Sequence, residues 1–138
     1  MKKLLSFALA LGIVLTLAGC SKELIDIESV NTISIEHYAT NDDYSNHCEP
    51  ESVEITDTAE LADICEFINS LADTEDTGRP NDLPRYEIHI TFLNGDTSWL
   101  TIGQYNVVSG DLLGCGNKIP SKQTDCYTQV TTIIDGIK

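Results

Sequence analysis

Five cysteines, three histidines and one tryptophan are the residues best equipped for chemistry in this 138-residue chain. A cysteine thiolate is a good nucleophile under mild conditions and can end in a thioether, a disulfide or a metal bond. Cys20 differs in setting from Cys48, Cys65, Cys115 and Cys126, because it follows an apolar run and the small residues Ala18 and Gly19. His37, His47 and His89 are scattered, and only His47 adjoins a cysteine, so no zinc-ligand spacing emerges. Phosphate loops, dinucleotide fingerprints, nucleophile elbows and HExxH motifs are all absent from the sequence. Among 22 acids no single carboxylate pair stands out for acid and base work. The sequence implies no catalytic set, no metal centre and no cofactor.

The N-terminus has the three-part shape of an export signal: Lys2 and Lys3, then an apolar run of fourteen residues from Leu4 to Leu17, then small residues. A helix that spans a bilayer needs about twenty apolar residues, so this run is short for a permanent anchor. Leu17, Ala18, Gly19 and Cys20 resemble the bacterial lipobox. That resemblance implies a diacylglyceryl group on the Cys20 sulfur and cleavage just before it. The product is a lipoprotein on the extracytoplasmic side of the cell membrane. Two acyl chains, each contributing about 0.8 kcal/mol per buried CH₂, hold a protein durably where one does not. The implied organisation is a signal peptide at 1–19, a lipidated tether at 20–26 and one globular domain at 27–138.

Loss of residues 1–19 removes Lys2 and Lys3 and no acid, which moves the formal charge from -14 to -16. So acidic a surface repels phosphate backbones and anionic headgroups, which excludes nucleic acid as a partner and leaves membrane attachment to the lipid on Cys20. The remaining length suffices for one hydrophobic core and not two. Four cysteines in an exported chain favour two disulfides. Short spans favour Cys48 with Cys65 and Cys115 with Cys126. The alternatives are Cys65 with Cys126 across two neighbouring helices, or buried free thiols.

Hydrophobic periodicity supplies the elements that must position these residues. Ile33 and Ile35 alternate with Thr32, Ser34 and Glu36, which predicts a half-buried strand over 28–38. The acid- and turn-rich stretch from Ala39 to Glu51 reads as an exposed loop. Asp57 and Glu60 have capping-box spacing, and Leu61, Ile64, Cys65, Ile68 and Leu71 recur at helical steps, which predicts a helix over 58–72. The prolines and glycine of the next segment predict a loop from Thr74 to Pro84. Tyr86, Ile88, Ile90 and Phe92 then alternate up to Asn94 and Gly95, the signature of a hairpin. A three-residue loop that sets Ile90 opposite Leu100 and Ile88 opposite Ile102 keeps one face apolar. It gathers Glu87, His89, Thr91, Trp99 and Thr101 on the other. One or two short strands are expected near Val107 and Leu112, and a helix over 122–135. The sum is an α+β domain, a small antiparallel meander with two helices on one face.

Trp99 beside His89 and Thr91 is the main functional hint, since an exposed tryptophan among hydrogen-bonding groups makes a binding anchor. Asp73, Glu75, Thr77 and Gly78 partly match a calcium loop, but Pro84 stands where a bidentate glutamate is needed. Asp42, Asp43, Glu49 and Glu51 form a second acidic group. The reading that fits best is a membrane-anchored module that binds a protein or a small ligand. An enzyme with a dispersed site and an envelope component or inhibitor of a basic partner are the alternatives. A deep pocket joining His89 to carboxylates favours the enzyme, and a flat exposed patch around Trp99 favours the binding module.

Overall fold

The structure, a computed structural model, describes residues 22–39, 50–114 and 116–137. Cys20, Asp42, Asp43, His47, Cys48, Glu49 and Cys115 lie outside the described residues. The first strand starts slightly later than its alternation predicts, because Ile27–Ser29 form a 3-10 turn capped by Asp26, whose carboxylate accepts from the Glu28 amide at 3.0 Å. Strand β1 then runs Val30–Tyr38, followed by β2 at Glu51–Ile55 and helix α1 at Thr58–Ser70. Asp57 caps α1 by accepting from the amides of Ala59 at 2.9 Å and Glu60 at 3.2 Å.

Beyond α1 come β3 (Thr74–Asp76), β4 (Arg85–Phe92), β5 (Thr97–Gly103), β6 (Val108–Gly110), a 3-10 turn (Asp111–Leu113), β7 (Lys118–Pro120) and α2 (Cys126–Ile137). The strands form one seven-stranded antiparallel sheet in the order β2-β1-β4-β5-β6-β7-β3. The domain is α+β. Two elements correct the sequence reading. Thr74–Asp76, expected within a loop, pairs with β7 at the far edge. Helix α2 begins at Cys126 rather than 122, where the Asp125 side chain accepts from the Thr128 amide at 3.2 Å.

The β4–β5 register is a further correction. The loop closes between Phe92 and Asp96, with the Phe92 amide donating to the Asp96 carbonyl at 2.9 Å, so the loop residues are Leu93, Asn94 and Gly95. Gly95 takes φ +90°, and the Asn94 side chain accepts from the Asp96 amide at 2.9 Å. Ile88 therefore faces Leu100, Tyr86 faces Ile102 and His89 faces Trp99. Moving the loop by one residue shifts the register by two, which keeps every side chain on its expected face.

The inward face carries Ile33, Ile35, Ile88, Ile90, Leu100 and Ile102, all essentially inaccessible to water. It merges with Leu61, Ile64, Ile68 and Leu71 from α1 and its end, and with Val130 and Ile134 of α2, in one core. Because β2 and β3 occupy opposite edges of the sheet, α1 has to carry the chain across that face. Residues before β1 join the domain too. The Asn69 side-chain oxygen accepts from the amides of Leu24 at 2.8 Å and Ile25 at 2.9 Å, while its nitrogen donates to the Ile25 carbonyl at 2.9 Å. Ile25 is buried, so the domain takes in residues from the stretch expected as tether.

An Asn69→Ala variant leaves those three backbone groups unpaired and is expected to lose about 1–3 kcal/mol. Urea unfolding measures the loss, and faster amide exchange at Leu24 and Ile25 localises it.

Candidate functional site

The face turned away from the helices is built from the alternate residues of β1, β4 and β5. Glu36 stands directly opposite Glu87, Ser34 opposite His89, His89 opposite Trp99 and Thr91 opposite Thr97. The three residues singled out from the hairpin pattern, His89, Thr91 and Trp99, therefore share this face. Trp99 is 44 % exposed. Trp99 borders a shallow open groove of about 490 Å³ also lined by Ser109, Asp111, Gly114, Gly116 and Asn117. The Trp99 backbone amide donates to an Asp111 carboxylate oxygen at 2.8 Å, which ties the groove's far wall to β5. Gly110 lets the two sides approach: it has φ +146°, and a Cβ there would run into the Trp99 carbonyl and Leu100.

The other end of the same face is covered. Asn81 reaches over β5 and β6, and its amide nitrogen donates to Thr101 Oγ1 at 2.6 Å and Ser109 Oγ at 3.2 Å. Thr101 and Ser109 hydroxyls lie 2.6 Å apart, which completes a partly buried polar triangle. Gly103 makes room for this clamp, since a Cβ would strike Asn81 Oδ1. The Glu87–Thr101 row is the boundary between covered and open surface.

A polar network surrounds His89 on the open part. His89 Nε2 lies 3.6 Å from Glu36 Oε2 and 3.9 Å from Glu87 Oε2. Tyr38 donates its hydroxyl to Glu36 Oε2 at 3.0 Å, and Arg85 Nη2 donates to Glu87 Oε1 at 2.8 Å. Glu36, Tyr38 and Arg85 did not stand out in the sequence, because nothing local says that β1 lies beside β4. The parity of β1 does place Glu36 on the polar face, so half of the signal was present.

The remaining candidates fall elsewhere. His37 faces the helices, stacked on Tyr86 at 4.7 Å, with Nε2 2.7 Å from the Tyr127 hydroxyl. Burial, reinforced by neighbouring Tyr86, raises the Tyr127 hydroxyl pKa. The partial calcium loop is interrupted by strand β3: Glu75 pairs with Ile119 in the sheet, Asp76 meets Lys118 Nζ at 2.6 Å, and Asp73 lies 3.9 Å from Lys122 Nζ. Glu51 belongs to β2. Among the described residues there is no disulfide. Cys65 and Cys126 are buried free thiols that do not join one another, while Cys48 and Cys115 lie outside the described residues.

Comparison with protein-family models, curated proteins and solved structures returns no match.

The two thiols give a pH signature. Burial pushes Cys65 from 9.0 up to about 11; burial and then the Asp125 carboxylate do the same for Cys126, against a smaller lowering by its backbone amide. Below pH 9.0 folded and unfolded chains both keep these protons, and above it only the folded chain does until about 11. The unfolded state thus binds fewer protons across that window, so stability falls as pH rises through it. Urea midpoints measured on both sides of the window are expected to drop less in a Cys65→Ala, Cys126→Ala double variant than in the parent chain.

Proposed function

We propose that this protein is a lipid-anchored extracytoplasmic binding module that engages a protein or small ligand through the open face of its sheet at Trp99. The observation that carries the reading is the half-exposed indole of Trp99 beside a groove with glycine, hydroxyl, amide and carboxylate groups on its walls. An aromatic wall with a few convergent polar groups is what ligand sites present, and tryptophan is enriched among the residues that dominate binding energy. His89 meets two carboxylates on an open face, not in a deep pocket, which supports binding over catalysis.

Attachment through Cys20 rests on the lipobox resemblance. No helix among the described residues is long and apolar enough to cross a membrane. With Leu24 docked on Asn69 at 2.8 Å, only Ser21, Lys22 and Glu23 separate the anchor from the domain. That reach is at most about 14 Å when extended. The domain would work close to its membrane.

Two outcomes are expected. Replacement of Cys20 by alanine abolishes fatty-acid labelling and releases the protein from the membrane fraction; retention of both defeats the anchor. In crosslinking on intact cells, Trp99→Ala loses the adduct that the parent chain forms. Against the isolated partner its affinity falls by about 30-fold, the equivalent of about 2 kcal/mol at an aromatic anchor.

A further inference from the structure

We propose that Glu36, Glu87 and His89 form a binding site for a divalent transition-metal ion of zinc type on the open face of the sheet. The inference goes beyond the binding reading and needs neither the lipid anchor nor a partner at Trp99.

Donor chemistry is the first ground. Imidazole nitrogen and carboxylate oxygen are both zinc ligands, zinc sites with three protein ligands keep a further position open to water or an incoming group, and the imidazole favours a transition metal over calcium or magnesium. Spacing is the second. Ligands about 2.1 Å from a tetrahedral centre lie about 3.4 Å apart. His89 Nε2 stands 3.6 Å from Glu36 Oε2 and 3.9 Å from Glu87 Oε2, and all three donor atoms lie within 4.8 Å of one another. Contraction by a few tenths of an ångström brings His89 to that spacing from each carboxylate, and the two carboxylate oxygens, within 4.8 Å of each other, have at most about 1.4 Å to close.

Backbone placement is the third ground. The residues stand on two adjacent strands in the middle of the sheet, Glu36 directly opposite Glu87 and His89 two residues along β4, rather than on loops. Groups outside the set orient it: the Tyr38 hydroxyl holds Glu36 at 3.0 Å, and Arg85 holds the Oε1 oxygen of Glu87 at 2.8 Å, leaving Oε2 toward His89. Outer contacts of this kind fix the geometry of metal ligands. Finally, two carboxylates set directly opposite one another on neighbouring strands repel. Arg85 offsets one of them, and a divalent cation would offset both.

The chain's one tryptophan faces His89 across the β4–β5 pair, which supplies the readout. Cobalt(II) added to the full chain in detergent is expected to quench Trp99 fluorescence saturably at one ion per chain, and zinc to displace it. His89→Ala, at an exposed strand position, should abolish the effect, and Glu36→Gln and Glu87→Gln should each weaken it at least tenfold. Circular dichroism and metal-free unfolding midpoints verify that these variants fold. Tyr38→Phe, which keeps all three donors, is expected to weaken binding about tenfold as a positioning change. Absence of saturable quenching in the parent chain overturns the proposal. So does uptake unchanged in His89→Ala, which would place the ion away from this cluster.

Discussion

One-sided burial of the sheet is the constraint on which the rest of the molecule depends. Six aliphatic side chains on β1, β4 and β5 face one way and are almost wholly removed from water, each contributing about 1.5–3 kcal/mol. Such a face persists only under a cover. Chain connectivity supplies it, because β2 and β3 take opposite edges and α1 must cross between them. Helix α2 completes the layer with Cys126, Val130 and Ile134. Cys65 and Cys126 are drawn into this core, which is why their thiols are hard to ionise.

The opposite face is free to be polar because it bears none of that load. Part of it is closed by the Asn81 clamp on Thr101 and Ser109, and part is left open around His89 and Trp99. The open part holds what a packed core would not tolerate: a large half-exposed indole and two carboxylates side by side on neighbouring strands. Its rigidity comes from the sheet's hydrogen-bond ladders, so side chains there are held in a fixed array even though they meet solvent. The groove beside Trp99 depends on the same framework. Asp111 bridges to the Trp99 backbone, and Gly110 permits the close approach that brings the glycine-rich segment alongside.

Much of this was legible in the sequence, for identifiable reasons. Alternation in β1 and β4 assigned Glu36, Glu87 and His89 to the polar side, since the two-residue period of a strand depends on local residues alone, and the parity of a three-residue hairpin loop carried Trp99 to the same side. The α1 stripe and its Asp57 cap were equally plain. The hairpin register came out two residues away, because Asn94 and Gly95 permit more than one three-residue loop and only backbone closure at Phe92 and Asp96 chooses between them. Strands β3 and β7 were obscure for another reason: three-residue segments have no measurable period and form only through distant pairing, β7 between β6 and β3, and β3 on β7 at the sheet edge.

The sequence by itself determined which faces are apolar, where the long elements lie and, through the lipobox resemblance, an expected destination. These follow from covalent order and short-range periodicity. Only the tertiary structure decided that β1 lies between β2 and β4, and with it the meeting of Glu36, Glu87 and His89. It also decided that Trp99 stays uncovered, because both helices are needed on the other face. Strand order and cover are set by competition among distant segments for one buried surface, and no local pattern records the result.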